Sequence, residues 1–116
     1  MAAPIIQGYR FGRMVVDGVV HHQDLLLLPE RVVPGWWRQQ GHRLALEDLA
    51  AVLEAAPDVL VVGTGASGVM EVPALTRRSL ADAGIELVVL PTTEAWQRYN
   101  ELSSRRRTAG AFHLTC

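Results

Sequence analysis

Residues Asp58 to Gly68 read Asp-Val-Leu-Val-Val-Gly-Thr-Gly-Ala-Ser-Gly, and no other stretch narrows the fold as far. Val59 to Val62 form an unbroken apolar run rich in β-branched side chains, the composition of a strand covered on both faces. A strand of that kind needs a layer above it and a layer below it. Directly after it, Gly63 and Gly65 permit positive φ and close backbone approach, so the strand runs into a loop with exposed N–H groups.

The patterns on either side supply the layers. Upstream, Leu46, Leu49, Ala50 and Leu53 make one apolar stripe with Glu47, Asp48 and Glu54 turned away, which predicts a helix that Pro57-Asp58 ends. Downstream, a second helix is expected from Pro73 at its first position to Gly84, followed by a buried strand at Glu86–Leu90. Thr92 or Thr93 then caps a third helix, with Ala95, Trp96, Tyr99 and Leu102 on one stripe and Arg105-Arg106-Arg107 in its last turn. Ala109 to Leu114 reads as a final strand. The second half is thus a βαβαβ unit, and right-handed crossovers aim the loops after Val62 and after Leu90 at one crevice.

Ahead of it, Met14-Val15-Val16 and Val19-Val20-His21 flank Asp17-Gly18, the signature of a tight β-hairpin. Ile5-Ile6, Leu25–Leu28 and Arg31–Val33 add short strands, and Trp36-Trp37 opens a connector in which large rings fill space between sheet and helix. The expected fold class is therefore α/β, with a βαβαβ C-terminal half and an N-terminal β-hairpin layer. At 116 residues the chain is read as a single domain spanning 1–116.

Composition excludes several functions. The formal net charge is −1, from eleven basic and twelve acidic residues, so no global field draws nucleic acid or an anionic membrane. All the cations are Arg; without Lys there is neither Schiff-base chemistry nor the phosphate-gripping lysine of a P-loop. The one cysteine, Cys116, rules out a disulfide or a cysteine metal cluster within one chain. A cytoplasmic, soluble protein without targeting signal or membrane span is the expectation.

Gly63-Thr64-Gly65-Ala66-Ser67-Gly68 also spells the dinucleotide fingerprint G-x-G-x-x-G. That fingerprint needs a helix starting at its third glycine and a carboxylate at the end of the next strand. Here the helix waits for Pro73, and the next strand ends Leu90-Pro91-Thr92. No NAD, FAD or other cofactor is expected. Ser67 misses the nucleophile-elbow pattern as well. Two uses of the glycines stay open, a tight turn off a buried strand and a small anion nest.

Val61-Val62-Gly63-Thr64-Gly65 and Thr92-x-x-Ala95-x-x-x-Tyr99-Asn100-x-Leu102 together resemble the uncharacterised Mth-domain family. Ile6-Gln7-Gly8-Tyr9, Leu26-Leu27-Leu28-Pro29, Trp36 or Trp37, and Glu47-Asp48-Leu49 extend the resemblance over nearly the whole chain. Its members include an adipogenesis-associated Mth-domain protein, a mitochondrial complex I assembly factor and many small bacterial proteins. The resemblance implies a three-layer α/β fold with a mixed central sheet and a last strand antiparallel to its neighbours. It brings no catalytic residue. It suggests that Gly63-Thr64-Gly65 and the Thr92 helix start share a cleft. The chain departs from the family pattern at Ser103-Ser104 and Arg105–Arg107.

Two functional readings follow. The first is a non-catalytic interaction or assembly protein, monomeric or homodimeric, that meets an unknown protein partner through an exposed apolar patch including Trp36, Trp37 or Trp96. The second is a binder or enzyme for a small anionic or carbonyl ligand. Its cleft would use Gly63, Thr64, Gly65, Thr92 and Thr93, with Tyr99 and Asn100 in support. Tyr99 and Asn100 also suit plain packing, on the apolar stripe and beside it. His21, His22 and Asp24 offer weak metal-ligand spacing, because adjacent strand residues point to opposite faces, so no metal site is expected. His42 and His113 stand alone as surface or core histidines.

Overall fold

A computed structural model describes residues 2–116. Among these residues, eight strands and three helices build three layers around a five-stranded mixed sheet. The N-terminal strands β1 (Ile6–Arg10), β2 (Arg13–Val16) and β3 (Val19–His21) form an antiparallel meander. Its β2–β3 turn places both Asp17 (φ 49°) and Gly18 (φ 79°) in the left-handed region, as a two-residue hairpin requires.

The central sheet contains β4 (Leu25–Leu28), β5 (Arg31–Val33), β6 (Val59–Thr64), β7 (Glu86–Leu90) and β8 (Thr108–His113), in the order β5-β4-β8-β6-β7. The strand β8 lies parallel to β6 and antiparallel to β4. The expectation of a last strand antiparallel to its neighbours is thus half corrected. α3 (Thr92–Ser103) returns the chain to the start of the sheet, so β8 must run with β6, while β4 enters from the N-terminal meander in the opposite sense.

Alternation along each strand separates two cores. Leu26, Leu28, Leu60, Val62, Ala109 and Ala111 face a layer formed by Trp36, Leu44, Leu49, Val52, Met70, Leu80 and Ile85. On the other face, Leu25, Leu27, Val61 and Phe112 meet Ile6, Met14 and Val16 of the meander and Ala95 and Tyr99 of α3. All six residues of β6 are buried, which is why its sequence carries no polar alternation.

Element ends deviate where side chains are committed elsewhere. The helix expected from Leu46 is a 3-10 turn, Leu46–Leu49, followed by a short α1 (Ala50–Ala55). Asp48 Oδ2 accepts the Ala45 N–H at 2.9 Å and fixes that turn. Pro73 stands one position before α2 (Ala74–Asp82). Neither Thr92 nor Thr93 caps α3: Pro91 holds the cap position and Thr92 is the first helical residue. The arginine run lies past the end of α3. Arg106 pairs with Glu86, and Arg107 pairs with Glu30 while donating at 2.8 Å to the Ala55 carbonyl at the end of α1.

Candidate functional site

The carboxyl ends of β6, β7 and β8 meet at one end of the sheet, and the residues there form a continuous polar chain. Gly65 and Thr92 bond reciprocally: Gly65 N–H donates to Thr92 Oγ1 at 2.9 Å, and Thr92 N–H donates to the Gly65 carbonyl at 3.0 Å. The same Thr92 hydroxyl donates to the His113 carbonyl at 2.7 Å, so one buried side chain ties three strand ends together. Thr64 Oγ1 completes the joint by donating to the Leu90 carbonyl at 3.1 Å.

Sequence reasoning placed Gly63, Thr64, Gly65 and Thr92 together, and the structure does bring them together. They make a closed joint instead of a cleft. A Cβ on Gly63 would stand 2.7 Å from Thr92 Oγ1 and 2.8 Å from the Phe112 ring, so glycine is needed there for packing. Gly65 has φ 104°, and a Cβ on it would run into the Thr115–Cys116 backbone. That segment covers the loop and takes its N–H groups: Ala66 donates to the Thr115 carbonyl and Val69 to the Cys116 carbonyl. Gly68 and Met70 donate within the loop, to Gly65 and Thr64. The anion nest is filled by protein.

The remaining three candidates point elsewhere. Thr93 is exposed on the first turn of α3. Tyr99 Oη donates to the Pro4 carbonyl at 3.0 Å, and Asn100 bonds the backbone of Ile6, so both hold the N-terminal strand against α3. Burial first, and the nearby Asp17 charge second, push the Tyr99 phenol above its ordinary value. It stays a neutral donor.

Beyond Thr92 the polar chain continues through side chains that sequence reasoning left apart. His113 shares the face of β8 with Ala109 and Ala111, and its Nδ1 lies 2.8 Å from Asp24 Oδ2. Asp24, just before β4, also accepts the Leu114 N–H at 2.8 Å and forms an ion pair at 2.8 Å with Arg38 Nη1. Arg38 is 8% exposed, and its Nη2 donates to the Gly41 carbonyl at 2.8 Å. Burial by itself would raise the Asp24 carboxyl; the bonds from His113, the Leu114 N–H and Arg38 outweigh it and hold the group below its ordinary value.

A carboxylate only accepts, so the His113 proton sits on Nδ1 and the Arg38 Nη2 at 3.1 Å is a neighbour, not a donor, to that atom. His113 Nε2 is buried without a hydrogen-bond partner among the described residues, while the His42 ring packs edge-on against the imidazole at 5.9 Å. His21 and His22 do not join Asp24. Among the described residues, no three His, Cys, Asp or Glu side chains group as metal ligands would. The Asp24 charge and, first, burial also raise the Tyr9 phenol, which donates to the Leu114 carbonyl at 2.7 Å.

This cluster anchors the tryptophan connector. Trp36 N–H donates to the Asp24 carbonyl at 2.8 Å, its indole Nε1 donates to the Asp48 carbonyl at 2.8 Å, and the Arg38 guanidinium lies 4.7 Å over its ring. Gly35, at φ 63°, turns the chain just before them. Trp36 is consequently 8% exposed, whereas Trp37 beside it is 82% exposed. Trp37 forms one wall of a shallow hollow of about 270 Å³ shared with Gln23, Asp24, Gly35 and Trp36.

Residues 6–113 match the model of a family described as a protein of unknown function, DUF498/DUF598. The chain belongs to this family. A conserved hypothetical protein, PH1505 from Pyrococcus horikoshii, is 29% identical with a TM-score of 0.82, over 96% of this chain and 98% of its own. The protein MT938 is 28% identical with a TM-score of 0.78, over 97% of this chain and 99% of its own. A Mth938-like domain from Bordetella pertussis is 20% identical with a TM-score of 0.69, over 96% of this chain and 85% of its own, and speaks for the fold alone. The DUF498/DUF598 chain is thus Mth938-like, as the resemblance in its strand and helix motifs implied. No helix among its described residues is long and apolar enough to cross a membrane.

Proposed function

We propose that this chain is a non-catalytic interaction or assembly protein that docks a protein partner on the face centred on Trp37. The carrying observation is the contrast between adjacent tryptophans, one buried and one 82% exposed. Tryptophan is the side chain most enriched at interface hot spots, and an exposed one gains most when a partner desolvates it.

The support beneath it fits that use. The Asp24, Arg38 and His113 cluster, the Trp36 bonds and the turn at Gly35 fix the backbone on which Trp37 stands. A ring held rigidly before binding spares part of the ordering cost of association. The hollow beside it gives a partner side chain a place to enter. Resemblance to a family that includes a mitochondrial assembly factor points the same way. By contrast, the glycine loop offers a small ligand no opening, because Thr115–Cys116 lie over it.

Photo-crosslinking tests the reading. A photoreactive residue replaces Trp37 in one preparation and the exposed Glu54, on α1, in another, and both are irradiated in extract of the source cell. The expected result is one protein joined at position 37 and not at 54, whose purified form binds the chain at least about tenfold less tightly after Trp37→Ala. Equal affinity for wild type and Trp37→Ala, with the fold unchanged, overturns the assignment.

A further inference from the structure

The strand β7 ends the central sheet, and its sequence Glu86-Leu87-Val88-Val89-Leu90 lacks the features that protect such an edge. Exposed edge strands are normally blunted by an inward charge, a proline or a bulge, because their free backbone groups pair with other strands. Here four consecutive large apolar residues occupy the edge, and the one charge, Glu86, is tied to Arg106 at 3.0 Å.

The backbone direction is fixed by the pairing with β6. Glu86 N–H donates to the Asp58 carbonyl at 3.0 Å, and the Leu90 carbonyl points at β6, where it accepts from the Thr64 hydroxyl, so in the parallel register Glu86, Val88 and Leu90 turn their backbone groups inward. By alternation Leu87 and Val89 turn theirs outward. Their side chains pack against the core beneath α1 and α2, while Val88 and Leu90 pack against the core beneath α3. All four remain half-buried, unlike the fully buried β6.

We infer that a second copy of this chain completes this edge, through antiparallel pairing of β7 with β7 about a twofold axis at Val88. A twofold perpendicular to a sheet sets a residue opposite itself. With Val88 opposite Val88 of the second copy, Leu87 faces Val89 in two symmetric pairs, each exchanging an N–H and a C=O. Every outward backbone group between Glu86 and Leu90 is then satisfied. Neither neighbouring axis does this. Moving it to Val89 brings Pro91, which has no N–H, opposite Leu87, and moving it to Leu87 sets Val89 against Ile85, whose N–H is already given to the Leu80 carbonyl. The half-buried side chains of both faces are covered by their counterparts, and the two sheets become one.

Charge on the neighbouring helix agrees with the same axis. On α3, Ala95 and Tyr99 face the sheet and Asn100 reaches β1, so Glu94, Arg98 and Glu101 lie on the remaining flank, toward β7, with Arg105 just past the helix end. All four are exposed, and none has a salt-bridge partner among the described residues. Read in reverse, as a twofold reads it, Glu94 meets Arg105 and Arg98 meets Glu101. The stripe is complementary to itself.

Sedimentation velocity from about 1 to about 300 μM tests the pairing. The wild-type chain is expected to sediment as a dimer at the upper end, with the Leu87 and Val89 amides slow to exchange. Val89→Pro removes an outward N–H, a substitution that a free edge tolerates, and is expected to give a folded monomer; Val89→Thr is expected to remain dimeric. Arg98→Glu is expected to weaken dimerisation at least about tenfold, and Arg98→Glu combined with Glu101→Arg to restore it. A wild-type monomer throughout the range overturns the inference. So does a dimer that survives both Val89→Pro and Arg98→Glu, or one that Trp37→Ala abolishes, since that would move the self-contact to the other face.

Discussion

Asn100 satisfies both backbone groups of Ile6: its Nδ2 donates to the Ile6 carbonyl at 2.8 Å, and its Oδ1 accepts the Ile6 N–H at 3.1 Å. One side-chain amide thereby takes the place of a neighbouring strand and joins β1 to α3. Asn100→Leu leaves both groups without a partner and is expected to cost about 1–3 kcal/mol in urea unfolding. Asn100→Asp keeps the acceptor but sets a carboxylate oxygen against a carbonyl. Its stability should recover partly as acid protonates it and restores a donor, which a pH series of the same measurement checks.

The tryptophan pair separates packing from display. Trp36→Ala opens a hole where the indole packs under Arg38 and loses the bond to Asp48, with an expected cost of about 3–5 kcal/mol. Trp37→Ala removes a ring that solvent already surrounds and should change stability by no more than about 0.5 kcal/mol. Denaturant unfolding of the two variants side by side gives the answer. A large loss at position 37 would mean that the ring is structural and leave the interaction face without its anchor.

Asp24 makes the fold sensitive to acid in a defined direction. Its folded pKa lies below the ordinary 3.8, so its contribution is present above that value and lost as pH falls through the lower, folded one. Asp24→Asn leaves Arg38 buried without a countercharge and is expected to cost about 3–5 kcal/mol near neutral pH. The gap between wild type and variant should close below about pH 4, as the wild-type carboxyl also becomes neutral. Urea midpoints across pH 2–7 show it; a gap that is constant over that range would remove Asp24 as the source.

Much of this architecture is written locally. The hairpin at Asp17-Gly18, the covered strand Val59–Val62, the strand Glu86–Leu90 and the stripe of α3 each carry their own period, and each lies where that period places it. The three-layer order follows from them. What the sequence conceals depends on contacts between distant residues. Asp24 and His113 are separated by 89 positions and His113 and Arg38 by 75, so no spacing announces their cluster. The cap of α3 departs from expectation because Thr92 answers to more than its own helix: its hydroxyl serves Gly65 and His113. The glycine loop suggests an open nest for the same reason, since local geometry cannot reveal that Thr115–Cys116 fold back over it. Nor does hydropathy say which of two adjacent tryptophans turns inward. That is decided by the Asp24 carbonyl, the Asp48 carbonyl and the Arg38 guanidinium.

Thr92 should behave as the keystone of the three strand ends. Its hydroxyl accepts from Gly65 N–H and donates to the His113 carbonyl, and the residue is fully buried. Thr92→Val preserves shape and β-branching while removing both bonds, so any effect reports the hydroxyl and not a cavity. The expected cost is about 1–3 kcal/mol, because a buried N–H and a buried carbonyl are each left short of a partner. Thr92→Ser keeps the hydroxyl and loses one methyl, so it should cost less. Exchange of the Gly65 amide separates this from general destabilisation: in Thr92→Val it should accelerate more than the amides at the centre of β6. Uniform acceleration along β6 would mean that the joint opens with the whole sheet, and the strand ends would then be held by packing alone.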